Sequence, residues 1–138
     1  MIKVKIKKIL KESDQDAHTV AKAVIIDSEN RVLMLTRSDY HKKYAGELDL
    51  PGGHLKENES INKGLEREVK EETGLDILHP AFFKKVKNKH FYHARYDSQP
   101  INISDEHVDY RFYRKEELDP SMPFEKIAIE VLEMIEGG

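Results

Sequence analysis

The sequence contains no cysteine. That excludes disulfides, thiolate zinc sites and a cysteine nucleophile, and a cytoplasmic location is the expectation that fits. It has no long apolar run: none approaches the roughly 20 residues that a bilayer span needs, so no membrane partner is expected. The opening stretch "MIKVKIKKILKE" is too charged to serve as a secretory leader. Neither sign of charge dominates, with 23 Lys and Arg against 26 Asp and Glu for a net charge of -3. The chain as a whole is therefore no polyanion binder, and an anionic substrate would need local cations or a metal. Internal repeats, low-complexity segments and Pro/Gly-rich linkers are also missing. With 138 residues, the expectation is one domain over 1–138 around one core.

What is present is polar but patterned. Charged residues make up 36% and hydrophobic residues 38%, and runs such as "AKAVII" and "RVLML" suffice to nucleate a core. Ile2, Val4 and Ile6 alternate with Lys3, Lys5 and Lys7, which predicts a half-buried strand. Strands are also predicted over 20–27 and 31–37, joined by the turn "SEN". A polar loop and a short strand, "LDL", lead into Pro51-Gly52-Gly53. Helical periodicity over 60–73 ends at Gly74, a residue suited to a helix C-cap. Further strands are predicted over 75–86, 90–96 and 107–114, and an amphipathic helix over 123–136. Many strands around one internal helix, with a second helix at the end, give an α/β (α+β) layer architecture.

The internal helix carries unusual charge. Glu68, Glu71 and Glu72 stand at i, i+3 and i+4, so they share a face about 5–6 Å apart at Cβ. Like charges so placed call for something positive among them. At about 100° per residue, Ile61 and Leu65 mark the apolar side. Glu72 falls between them in angle and Glu68 lies close by. A carboxylate turned toward a core is costly unless a cation or an arginine meets it. Carboxylate oxygens and water are what Mg²⁺ prefers. Arg67 has Glu71 at i+4 and is within reach of Glu59 for bidentate contacts. A solvated acidic face would explain the glutamates alone. It explains neither Arg67 nor the glycines: Gly52 and Gly53 allow close approach of backbone to a ligand, and Gly64 leaves room beside the carboxylates.

Gly53, Glu59, Arg67-Glu68, aliphatic Val69, Glu71-Glu72, Gly74 and aliphatic Leu75 stand at the spacing of the Nudix box, and on these residues the chain resembles the Nudix hydrolases. The resemblance implies an α/β/α sandwich with a mixed sheet between helices. It implies hydrolysis of a nucleoside diphosphate linked to another moiety, with Mg²⁺ or Mn²⁺. Carried onto this chain, Glu68, Glu71, Glu72 and the Gly53 carbonyl would bind metal, Glu71 and Glu72 serving catalysis as well. Glu59 and Arg67 would form the ion pair that fixes loop to helix. A further acid from a downstream loop would be Asp105 or Glu106. Glu106 is favoured, because Glu followed by His is common there in the family. Tyr92, 17 residues beyond Leu75, would stack on a base, and Arg37 would contact phosphate. His90 and His93, at i and i+3 in a strand, point to opposite faces and make a poor zinc pair. Asn58 stands where the family often has Gly, Leu48 where Trp is frequent, and Gly64 where Ala is common. The leading substrates are nucleoside triphosphates, oxidised ones included, and dinucleoside polyphosphates. ADP-ribose and capped RNA are less favoured. Nucleic acid is otherwise not expected as a partner, and a homodimer is compatible with the reading. The alternative is a non-catalytic nucleotide-binding sensor.

Overall fold

The computed structural model of this protein describes residues 18–38 and 46–137. The strand expected over 2–7 and most of the polar loop over 38–47 lie outside the described residues. Among the described residues, seven strands form one mixed sheet: β1 (Val20–Ile26), β2 (Val32–Arg37), β3 (Leu48–Asp49), β4 (Gly52–His54), β5 (Ala81–Val86), β6 (Lys89–Arg95) and β7 (His107–Tyr113). Helix α1 (Ile61–Thr73) and helix α2 (Pro123–Gly137) pack on its two faces.

β1 and β2 are buried on both sides, so their residues divide between two cores by the period of two that a strand imposes. Ala21, Ala23, Ile25, Leu33 and Leu35 pack with Leu65 and Val69 of α1. Val24, Ile26, Val32 and Met34 pack with Ile127, Ala128, Val131 and Leu132 of α2. The turn between the strands is fixed by Asp27, whose Oδ1 accepts from the amides of Glu29 and Arg31, while Asn30 takes a left-handed φ of 57°.

The pairing places the site. β1 runs parallel to β6 over its full length, but it meets β2 only at Ile26 and Val32. Beyond that point the strands splay. The segment 48–54 fills the gap, with β3 pairing to β2 and β4 pairing to β1 as Val20↔His54, Ala21↔Gly53 and Lys22↔Gly52. Gly52 and Gly53 therefore lie in the split of the sheet, under α1.

Within the described residues, the predicted elements stand within a few residues of those observed, with one exception. The strand expected over 75–86 begins only at Ala81. Leu75 and Ile77 are buried against the α1 core as a loop, and His79 adopts a φ of 48° before Pro80, which cannot donate to a ladder.

Candidate active site

α1 begins and ends where local chemistry requires. The Ser60 hydroxyl accepts from the Lys63 amide at 3.3 Å, and Gly74 closes the helix at φ 78° with its N–H donating to the Lys70 carbonyl. Two glycines let the helix approach the turn before it. A Cβ on Gly64 would lie 2.3 Å from Leu55 Cδ2 and 2.9 Å from Glu59 Oε1. A Cβ on Gly53 would lie 2.6 Å from Glu68 Oε2. Real Cβ atoms do not make such contacts, so a side chain at either position would push the end of Leu55, Glu59 or Glu68 out of its present place. Asn58, at φ 64°, occupies the left-handed turn position that its side chain tolerates.

Arg67 is the hub of the helix face. Its Nε donates to Glu59 Oε2 at 2.7 Å and its Nη2 to Glu59 Oε1 at 3.0 Å, a bidentate pair. Nη1 reaches both oxygens of Glu71, at 3.1 and 3.0 Å, and Glu68 Oε1 at 3.2 Å. Nη2 also donates to the His54 carbonyl at 3.3 Å, so the guanidinium ties the helix to β4. Arg67's hydrogen bonds hold the Glu59 carboxyl down at about 2, and Glu59 in turn raises the Arg67 guanidinium.

The three helix glutamates sit in different surroundings. Glu72 is buried, as its angle on the helix implied, and its Oε1 accepts from the Gly52 amide at 3.0 Å. Burial pushes it up to about 8. The Lys22 charge and the Gly52 amide oppose that rise, while Asp49 and Glu106 add to it. Glu68 is also raised, by burial first and then by the charges of Glu71 and Glu106 against the pull of Arg67. Glu71 is mostly exposed and is turned onto Arg67. The expected ligand triplet is thus not gathered. Among the described residues, no three His, Cys, Asp or Glu side chains form a ready-made metal-binding group. The reason is visible in the donors that already hold them: Arg67 takes Glu71, and the Gly52 amide takes Glu72.

Glu106, although exposed, lies near enough for its charge to raise both Glu68 and Glu72. Its loop is tied to the site, since Ser104 N donates to the Glu72 carbonyl and Ser38 N to the Glu106 carbonyl. Arg37 is half-buried, donates from Nη1 to Asp49 Oδ2 at 2.9 Å, and lines a cavity of about 470 Å³ between the sheet and the start of α2. Tyr92 does not match its expected place. It is 7% exposed in the α1 core, with Phe82 edge-on at 5.5 Å, so neither ring face is offered to a base. Its position in β6 puts it on the same sheet face as Ala94, and the core claims it.

Sequence reasoning missed a buried polar cluster. Lys22 Nζ lies 3.1 Å from Asp49 Oδ1, 3.1 Å from the Leu50 carbonyl and 3.3 Å from the Gly52 carbonyl, and His107 Nε2 lies 3.1 Å from Asp49 Oδ2. Burial pushes Asp49 up, but the Lys22 charge and the hydrogen bonds from His107 and Lys22 outweigh it and hold the carboxyl at about 2. The available signal was a lysine inside the apolar run "VAKAVII" and an aspartate between two leucines.

The chain matches the NUDIX domain over residues 16–134. It belongs to the NUDIX family. A chain 49% identical over 47 residues is named 8-oxo-dGTP diphosphatase, from Buchnera aphidicola subsp. Schizaphis graminum; the match covers 33% of this chain and 36% of that protein. Another, 35% identical over 75 residues, is named ADP-ribose pyrophosphatase, from Methanocaldococcus jannaschii, with 50% of this chain and 43% of that protein covered. The chain thus aligns with less than half the length of these curated relatives. Among solved structures, the MutT protein of Methanosarcina mazei Go1 superposes with a TM-score of 0.67 at 25% identity, covering 87% of this chain and 95% of that one. An Ap4A hydrolase of C. elegans superposes at 0.67 with 17% identity, over 87% of this chain and 98% of that one, which speaks for the fold alone. The fold is the Nudix α/β/α sandwich.

The site fits a divalent cation on its own chemistry. The donors are hard oxygens, Glu68 packs against a backbone that a Cβ would block, and a buried carboxylate at Glu72 lacks enough nearby positive charge to stay ionised at neutral pH.

Proposed function

We propose that this chain is a metal-dependent Nudix pyrophosphohydrolase. Its substrate would be a nucleoside diphosphate linked to another moiety: a nucleoside triphosphate, oxidised ones included, or a dinucleoside polyphosphate. The observation that carries the reading is the buried Glu72 beside Glu68, on a helix that Arg67 and two glycines clamp against the sheet's split. Glu68, Glu72, the Gly53 backbone and, after release from Arg67, Glu71 would hold Mg²⁺ or Mn²⁺. Bound there, the ion supplies neutralisation of pyrophosphate charge and a lowered pKa for water. The protein's own parts do the rest. Arg67 and Glu59 keep the turn and helix at fixed separation. Glu106, on the loop tied to Glu72 through Ser104, would accept a proton from water at its carboxylate.

The cavity supports a place for the second moiety. Its walls include Leu48, Phe91 and Phe124, with Arg37, Lys87 and Lys126 among its cations. Its size is in the range of small-molecule sites. Lys22 connects it to the acidic site: Nζ lies 5.4 Å from the Phe124 ring centroid and also holds the Gly52 carbonyl. Relatives named for 8-oxo-dGTP and for ADP-ribose bracket the substrate classes to be tried. The test is a panel of nucleoside triphosphates, oxidised triphosphates, dinucleoside polyphosphates, ADP-ribose and capped RNA with Mg²⁺, read by product identity. Cleavage within a pyrophosphate is expected. Tight binding with no turnover across the panel would favour the sensor reading instead.

A further inference from the structure

β1 is buried along its whole length, yet its third residue is Lys22. Lys22 is 7% exposed, and its ammonium engages Asp49, itself 1% exposed, together with two backbone carbonyls. Buried ion pairs are weak stabilisers, and an apolar pair of similar volume often serves stability as well or better. Their geometry here suggests another role.

Gly52 is held at both ends of its backbone. Its amide donates to Glu72 Oε1 at 3.0 Å and its carbonyl accepts from Lys22 Nζ at 3.3 Å. Lys22 passes to Asp49 Oδ1, and the other oxygen of Asp49 meets Arg37 Nη1 and His107 Nε2. His107 directly follows Glu106, whose carbonyl accepts from Ser38 N at 3.1 Å. A continuous polar chain thus runs from the carboxylate of Glu72, through the glycine turn, to the base of the Glu106 loop. Its links are separated by 20, 30, 27 and 58 residues in sequence. Only the fold brings them together.

We propose that Lys22 and Asp49 are positioning residues that set the separation of the glycine turn under Glu72 from the Glu106 loop. This inference rests on the functional reading above. Asp49 is the joint, because one carboxylate oxygen serves each half of the site. Neither residue touches substrate; both act through Gly52 and His107.

The test compares wild type with Asp49→Asn and with the double variant Lys22→Met/Asp49→Asn. The double variant removes both buried charges at once, and the amide introduced at position 49 still offers an oxygen to half-buried Arg37 and to buried His107. It should melt close to wild type. Its kcat on the substrate found by the nucleotide panel should fall on the order of 10- to 100-fold, the size of loss that a displacement of about 1 Å produces. KM should change little, since the defect lies in alignment rather than in uniform binding. Amide hydrogen exchange should quicken in both variants at Gly52–Gly53 and at 104–107 together. A double variant that melts and turns over like wild type overturns the proposal. Should it melt far below wild type, Asp49→Glu keeps both charges while lengthening the joint by one methylene, and an unchanged kcat there overturns the proposal instead. If wild type cleaves nothing, the functional reading fails by itself. The exchange measurement then still decides the coupling, because faster exchange confined to one of the two segments contradicts it.

Discussion

Arg67 makes contacts that a lysine cannot copy. One planar guanidinium meets Glu59 twice, Glu71 twice, Glu68 and a backbone carbonyl. An ammonium has three donors on a point charge and no fork. Arg67→Lys should therefore keep the fold, by circular dichroism, while turnover falls by roughly 10²-fold, as misplaced catalytic groups do. Near wild-type turnover would reduce Arg67 to an ordinary surface charge. Glu72 and Glu106 separate by burial. Glu72→Gln keeps the shape but removes the charge proposed to hold the metal, so hydrolysis and Mn²⁺ affinity should fall together, turnover by several orders of magnitude. Glu106→Gln should cost about 10²–10⁴-fold, the range for proton-transfer assistance, and leave Mn²⁺ affinity better preserved. If Glu106→Gln is silent and Asp105→Asn is crippled, the role passes to Asp105. The inward turn of Glu72 was legible from helix angles because the angle of a side chain on a helix is local. Tyr92 was not legible: an aromatic in a strand reads alike whether it meets a ligand or a core, and here Phe82 and the α1 cluster hold it. Lys22, Asp49 and His107 were equally hidden, since their pairing is set by sheet topology.

At the scale of elements, the close approach of α1 to β4 decides the site. Gly64→Ala sets two effects against each other. Replacing a helix-interior glycine gains up to about 1 kcal/mol in propensity. The new methyl meets Leu55 Cδ2 at 2.3 Å and Glu59 Oε1 at 2.9 Å, and overpacking costs typically 1–3 kcal/mol. The net expectation is a loss of about 1 kcal/mol in denaturant unfolding, with turnover reduced further because Glu59 is the atom group displaced. A variant both more stable and fully active would show that the loop yields freely. Helix limits were legible here because Ser60 and Gly74 are local signals with local partners. The start of β5 was not, since the buried loop 75–80 presents the same apolar residues that a strand would.

At the scale of the whole molecule, the described residues form a sheet that opens between β1 and β2, with a glycine turn in the opening and a helix on each side. No helix among the described residues is long and apolar enough to cross a membrane. Charge buried in this frame gives a pH dependence of defined sign. Asp49 ionises at about 2 in the folded protein against an ordinary value of 3.8. The folded state thus binds fewer protons there, and about 2 kcal/mol of stability present above pH 3.8 is lost as pH falls through 2. Glu59, lowered to about 2 as well, acts in the same direction, with less weight because its pair is partly solvated. Glu72 has the opposite sign. Its folded-state value of about 8 lies above the ordinary 4.5, so its contribution is present below pH 4.5 and is lost as pH rises through 8. Chemical unfolding in chelator across pH 2 to 9 should give a maximum near pH 4 to 5, and Asp49→Asn should flatten the acid limb.

The most direct test of the acidic face as a cation site is a thermal melt at pH 8, with saturating Mg²⁺ and with chelator, on wild type and Glu72→Gln. A ligand that binds only the folded state raises stability by mass action. Wild type should melt several degrees higher with Mg²⁺, as about 1–2 kcal/mol of binding linkage implies for a chain of this size, while Glu72→Gln should lose most of that rise. Coincident melts for wild type with and without Mg²⁺, together with nucleotide hydrolysis that persists in excess chelator, would contradict the account.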